Sequence, residues 1–256
     1  MSTDYALVRG VPDSFADAII SNPTRRPDPE TARRQHQTYV SQLTGAGYTI
    51  DQLAADESLP DCVFVEDTAV IVGGVAVITR PGAPSRRGET LAVTEALASY
   101  LPTRFIEGEA SLDGGDVLRA GDNLYVGRSQ RTNQEGIDQL AIIAAEQGLG
   151  VVAVPLTGVL HLKSAVLPLD AGTVVVTPGC VDEDLLRGLR IIHEDPDERH
   201  RFSALPLRNG SVLVTGNALR TASTIATAGF DPLPIDISQI QMADGGLTCL
   251  SVLFAG

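Results

Sequence analysis

The chain has 256 residues, of which 43% are hydrophobic and 20% charged, and its formal net charge is -13. That length suits one large domain or two small ones, with ample apolar material for a core. The acidic balance argues against sequence-independent binding to nucleic acid, which needs a basic face, and mildly suits a cationic substrate.

Cys62, Cys180 and Cys249 are the three cysteines, an odd number with no C-x-x-C pair and no zinc-like spacing, so no disulfide framework is expected. The opening MSTDYALVRG has neither the basic nor the apolar region of a secretory signal. The longest apolar run, 68–79, is too short to span a bilayer and is broken by Gly73-Gly74. The expectation is a cytoplasmic, reducing setting with no membrane and no nucleic-acid partner.

In chain order, a short strand ends at Val8-Arg9, Pro12-Asp13-Ser14 marks a turn, and 15–20 reads as a helical turn or a loop. A helix is predicted over 30–43, with Pro29 and Glu30 at its start and Gly45 and Gly47 after it. The sequence then repeats itself. Hairpins, each a β-branched run, a glycine-containing turn and a second such run, are predicted over 70–78, 117–127, 166–176 and 205–214. Helical stretches follow at 89–100, 134–147, 182–189 and 218–228. The turn glycines recur about every 40 to 50 residues, a period that signals an array or a propeller.

Four modules are visible, and a fifth is completed if a strand starting at Cys249 pairs with the strand at 5–9. Such pairing would close a ring and remove its exposed edges. The predicted fold is therefore α/β: a closed five-bladed α/β propeller with helices outside, one domain over 1–256. An ordinary alternating α/β domain is the alternative. Pro168 and Pro206 favour the ring, because proline is tolerated on edge strands and disfavoured in the centre of a large sheet. The stretch His193-Glu194-Asp195-Pro196-Asp197-Glu198-Arg199-His200 reads as a solvated polar loop, since its spacing fits no helical metal-ligand pair.

Residues just before each first strand should reach equivalent points around the axis, and they are unusual ones. They are Asp61, Phe64, Glu66 and Asp67 in the first module, Asp113 and Asp116 in the second, His161 and Lys163 in the third, and Asp244 and Cys249 in the split fifth. Carboxylates at the mouths of apolar strands are costly to bury unless paired, so the ring asks for a cation. A thiol and a single histidine are a poor match to one metal, whereas paired carboxylates suit the planar donors of a guanidinium. Cys249 reads as a nucleophile, the alternative being a thiol packed as a small hydrophobe. Arg86 and Arg131, on equivalent loops one module apart, would hold a substrate carboxylate bidentately if they face the cavity.

With Cys249, His161, Asp113, the Glu66-Asp67 pair and the two arginine loops in view, the sequence resembles the dimethylarginine dimethylaminohydrolases. These are guanidino-group-modifying enzymes of the pentein type with a five-bladed α/β propeller. The matching strings run in order through nearly the whole chain: 33–37, 56–67, 79–87, 112–117, 131–134, 160–164 and 247–253. The resemblance implies hydrolysis of Nω-methylated arginines to citrulline with no metal and no cofactor. It implies Cys249 as nucleophile, His161 as general acid/base and Asp113 as the carboxylate that orients it. Asp61, Glu66 and Asp67 would surround the guanidinium beside Phe64, and Arg86 and Arg131 would take the α-carboxylate. Ile20 on an N-terminal loop, with Ala243 and Asp244, would close over the amino-acid end. Gly246, Ile20 and Ala243 depart from the family's side chains. A homodimer is left open. Arginine deiminases of the same superfamily carry His-x-Asp where this chain has His161-Leu162-Lys163. The rival readings are a deiminase acting on arginine or agmatine, and a non-enzymatic propeller that binds a partner through the same mouth.

Overall fold

The computed structural model describes residues 3–22, 24–199 and 201–256. Five small sheets of three strands each make a mixed α/β fold. In chain order the elements begin with β1 (Asp4–Arg9), α1 (Pro29–Gly45) and β2 (Thr49–Leu53). The second unit is β3 (Ala69–Val72), β4 (Val75–Ile78), α2 (Thr90–Leu97) and β5 (Thr103–Phe105). The third is β6 (Val117–Ala120), β7 (Asn123–Arg128), α3 (Gln134–Glu146) and β8 (Gly150–Pro155). β9 (Val166–Pro168), β10 (Thr173–Val176) and β11 (Arg190–His193) form the fourth. β12 (Ala204–Pro206), β13 (Ser211–Thr215), α4 (Leu219–Thr227) and β14 (Asp231–Ile235) form the fifth, before α5 (Ser238–Met242) and β15 (Val252–Ala255).

Every sheet has one plan. A first strand pairs antiparallel with a central strand, and the chain returns to lay a parallel strand on the other side, as in β3-β4-β5 and β12-β13-β14. Parallel pairing requires a crossover, which an α-helix supplies in four of the sheets and a 3-10 turn in β9-β10-β11. The split unit obeys the same plan with its first strand supplied from the far end of the chain: β15 pairs antiparallel with β1, Leu7 opposite Val252, and β2 lies parallel on the other side. Pro168 and Pro206 lie on β9 and β12, each the edge strand of its sheet, where a missing N–H costs no ladder bond.

Central strands carry apolar residues on both faces, and alternation directs each face to a different neighbour. Val174 and Val176 of β10 join a buried cluster with Tyr125 of β7, while Val175 joins one with Val212 and Val214 of β13. Leu213 of β13 turns the other way, into a cluster with Ala6 and Val8 of β1. Leu7 of β1 packs with Ala76 and Ile78 of β4, and Val77 of β4 packs with Leu124 and Val126 of β7. Five apolar clusters thus bridge five sheets pairwise, the last sheet back to the first.

Three expectations are corrected. Residues 182–189 form no α-helix: a single 3-10 turn, Glu183–Leu186, makes the crossover, and Gly188 in the left-handed region (φ 95°) ends it. So short a segment, opened by three acids, does not repay helix nucleation. Cys249 does not begin a strand; it sits in a 3-10 turn, Thr248–Leu250, and the strand starts at Val252. The 193–200 loop is only partly solvated. Glu194 is buried and accepts from Thr177 Oγ1 and the Phe202 N–H, and Glu198 is buried and accepts from the N–H groups of Arg220 and Thr221 at the start of α4. His200 lies outside the described residues.

Candidate active site

Four single 3-10 turns, each just ahead of a first strand, build the site: Val65–Thr68, Gly114–Asp116, Leu162–Ser164 and Thr248–Leu250. They approach one another closely because Gly114 and Gly115 carry no side chains. A Cβ on Gly114 would come within 1.9 Å of the Glu66 carbonyl oxygen, and one on Gly115 within 2.8 Å of both Asp67 Oδ1 and His161 Nδ1. The fifth unit contributes Ser203, whose Oγ accepts the Leu247 N–H at 2.8 Å.

A cavity of about 480 Å³ opens among these turns, lined by Ile20, Asp61, Phe64, Glu66, Asp67, Arg86, Arg131, His161, Ala243, Asp244 and Cys249. Asp113 stands behind the wall, fully buried, with Oδ2 3.0 Å from His161 Nε2. Its other oxygen accepts the Gly82 N–H at 2.7 Å, and its own N–H donates to Thr132 Oγ1. The structure therefore brings together all the residues singled out from the sequence.

His161 is flanked by carboxylates. Nε2 faces Asp113 and Nδ1 lies 4.0 Å from Asp67 Oδ1, while Asp116 Oδ1 accepts the N–H of the next residue, Leu162, at 2.9 Å. Burial opposes protonation of His161, but Asp67, Asp113 and Asp116 outweigh it and raise the imidazole from 6.5 to about 9. Burial works against ionisation of Asp67 in turn, and the charge of His161 and Arg86 with the Gly115 N–H still brings that carboxyl down to about 2. Asp116 responds to burial above all and rises to about 6.

Cys249 is half-buried in the cavity wall, and its Sγ accepts the Gly246 N–H at 3.3 Å. Burial, then the charges of Glu66 and Asp67, push the thiol from 9.0 up to about 12. The resting pair is a neutral thiol and an imidazolium. Gly246 has a local reason to lack a side chain: a Cβ there would lie 2.7 Å from Ser203 Oγ.

Arg86 is engaged more deeply than its loop suggested. Nε and Nη2 bond the Glu89 carboxylate, Nη2 also reaches the Phe64 carbonyl at 2.9 Å, and Nη1 bonds Asp67 Oδ2 at 2.5 Å. Glu89, raised to about 7 by burial against the pull of Arg86, was missed from sequence, although its i,i+3 spacing from Arg86 is a readable signal. Arg131 is freer. Its ion pair to Asp113 is long, at 3.9 Å.

The loop at 19–21 is stitched over the cavity by two carboxylates. Both Asp61 oxygens accept the Ile19 N–H, at 3.1 and 3.3 Å, and Asp244 accepts from the Ser21 N–H at 2.5 Å and Ser21 Oγ at 2.8 Å. Asp244 holds a left-handed backbone (φ 59°), a conformation aspartate tolerates better than most residues.

Asp67, Asp113 and His161 offer three ligand atoms within 4.8 Å of one another. The carboxylates face opposite nitrogens of one ring, so neither nitrogen meets both, and the set reads as an imidazole hydrogen-bonded to Asp113 on one side and charge-paired with Asp67 on the other. Among the described residues no helix is long and apolar enough to cross a membrane.

Residues 55–205 match the family model described as arginine deiminase. Over 98% of its length the chain is 37% identical to the N(G),N(G)-dimethylarginine dimethylaminohydrolase of Streptomyces coelicolor, covering 97% of that protein. It is 33% identical to the protein of that name from Pseudomonas aeruginosa, over 98% of this chain and 99% of the other. A solved structure of a cysteine-to-serine mutant of the P. aeruginosa protein, complexed with citrulline, superposes with a TM-score of 0.94 at 32% identity, covering 99% of this chain and 100% of that one. The chain belongs to the arginine deiminase family and, within it, to the dimethylarginine dimethylaminohydrolases.

Proposed function

We propose that this chain hydrolyses Nω-methylated arginines, asymmetric dimethylarginine and monomethylarginine, to citrulline and dimethylamine or methylamine. The observation that carries the reading is one cavity holding Cys249, the Asp113-backed His161 and the buried Asp67 together. The bound citrulline of the P. aeruginosa structure supports the product.

The cationic guanidinium enters beside Asp67 and Glu66 and offsets the carboxylate charge that holds the thiol protonated, so on substrate binding Cys249 loses its proton to solvent, His161 being already protonated. Sγ bonds to the guanidinium carbon. His161, with Nε2 held by Asp113, delivers a proton to the departing amine from Nδ1 as the C–N bond breaks, leaving an S-alkylthiouronium on Cys249. The neutral imidazole then takes a proton from water as the hydroxide adds to the same carbon, and collapse of that adduct expels the thiolate and releases citrulline. Arg131 receives the α-carboxylate together with the remaining Nη1 N–H of Arg86, since a full bidentate grip by Arg86 would displace Glu89 or Asp67. Asp61, expected at the guanidinium, is bonded by both oxygens to the Ile19 N–H, so in this reading it faces the amino-acid end with Asp244 and Ala243, and Phe64 flanks the channel.

One catalytic domain over 1–256, closed as a five-bladed α/β propeller, fits the five apolar clusters that link each sheet to the next and the last to the first. The test is release of citrulline and dimethylamine from asymmetric dimethylarginine, run beside arginine and agmatine. Dimethylamine in step with citrulline supports the reading; ammonia from arginine alone moves the assignment to a deiminase.

A further inference from the structure

One part-buried ion pair touches all four turns of the proposed site. Lys163 Nζ donates to Glu66 Oε1 at 2.6 Å and to the Gly114 carbonyl at 3.2 Å, and Glu66 Oε2 accepts from Thr248 Oγ1 at 2.8 Å. Each contact sits one or two residues from a group of the proposed chemistry. Lys163 is two after His161, Gly114 follows Asp113, Glu66 precedes Asp67, and Thr248 precedes Cys249. The same three side chains separate the active cavity from a second one of about 300 Å³ among the first strands, and they line both.

We propose that Lys163 is a positioning residue: through Glu66 and Thr248 it fixes the turn of Cys249 against the turns of His161 and Asp113. The proposal rests on the hydrolase reading above. Lys163 is a point charge on a flexible stem, suited to bridging a carboxylate and a carbonyl from different units. A carboxylate with a single cationic partner in the interior depends on that partner for its charge. Burial is the main influence raising the Glu66 carboxyl from 4.5, and Lys163 is the largest influence opposing it. Of the other titratable groups facing Glu66, Asp67 on its own turn repels its charge, and Tyr39 of α1 and Cys249 feel that charge in return. None of these three is a cation. Without Lys163, Glu66 takes up a proton at higher pH, and its bond from Thr248 loses the strength that an ionised acceptor gives.

Two readouts test this, one of them independent of turnover. In Lys163→Met, the inflection that Glu66 gives the pH profile of Cys249 alkylation by iodoacetamide moves to higher pH than in the wild type, and adding Glu66→Gln removes it. With asymmetric dimethylarginine, kcat per titrated Cys249 falls about tenfold to a hundredfold, the cost of a small misplacement, while KM moves less than about threefold. Lys163→Arg restores part of the loss. An alkylation inflection that stays at its wild-type pH, or a loss that lies wholly in the fraction of titratable Cys249, overturns the proposal. Should Lys163→Met fail to fold, Thr248→Val carries the test, since it keeps the ion pair: kcat falls about tenfold with KM little changed, and an unchanged kcat overturns the proposal. Failure of the hydrolase reading is seen separately, as a Cys249→Ala protein that still turns over substrate.

Discussion

The floor and the lid of the cavity are built from the same residue types in opposite conditions. On the floor, Asp67, Asp113, Asp116, Arg86 and His161 are buried, and each bonds a partner fixed by a different turn. At the lid, Asp244 and Ser21 form hydrogen bonds in an exposed setting, and Ile19 keeps 42% of its surface in water. Low dielectric makes each floor contact strong and each missing partner costly. Water at the lid makes its bonds nearly exchangeable for solvent. Chemistry is thus assigned to groups that cannot move, and access to groups that open at little cost.

Substitutions on the two sides should therefore differ by orders of magnitude. Cys249→Ala removes the proposed nucleophile and is expected to lower dimethylamine release by about a thousandfold or more. Asp113→Asn leaves His161 with a partner that no longer selects its tautomer or favours its cationic form; a loss of kcat of about a hundredfold to ten-thousandfold is expected in steady-state assays. Arg86→Met leaves Asp67 and Glu89 buried without their cation, and urea unfolding should show a loss of about 3 to 5 kcal/mol. Ser21→Ala should change KM severalfold at most and leave the unfolding midpoint within experimental scatter. A Ser21→Ala effect on kcat as large as that of Asp113→Asn would erase the distinction between floor and lid.

Two buried histidines sharpen the comparison through pH. His36 on α1 is buried with Nε2 unpartnered, and burial depresses it from 6.5 to about 4. The unfolded chain binds that proton first, so the stability His36 provides is present above 6.5 and lost as pH falls through the window to 4, by about 3 kcal/mol. His161 has the reverse sign. Raised to about 9, its contribution is full below 6.5 and is lost as pH rises through 9. Urea unfolding of His36→Leu should lose the acid-side slope and keep the alkaline one.

Much of this was legible in the sequence because it is periodic. Apolar central strands recur in every unit, turn glycines in the four continuous ones and edge prolines in two, Pro168 and Pro206, and the residues ahead of each first strand fall at matching points. What broke the pattern was invisible for physical reasons. The crossover at Glu183–Leu186 is too short to be helical although its composition allows a helix. Cys249 looked like a strand residue because Leu250 and Val252 are apolar, yet the repeat places a 3-10 turn there. Thr248 and Lys163 owe their roles to Glu66, 182 and 97 residues away, and no local signal carries that distance. The engagement of Arg86 by Glu89, which ties a proposed substrate contact into the floor, likewise depends on how the loop folds.

The central claim is a covalent intermediate on one thiol among three. Wild-type protein turning over asymmetric dimethylarginine should be quenched in acid, digested and weighed peptide by peptide. The account predicts an added mass on the Cys249 peptide equal to the substrate less dimethylamine, with Cys62 and Cys180 unmodified. Full turnover with no adduct on Cys249, or with the adduct on either buried cysteine, would contradict it.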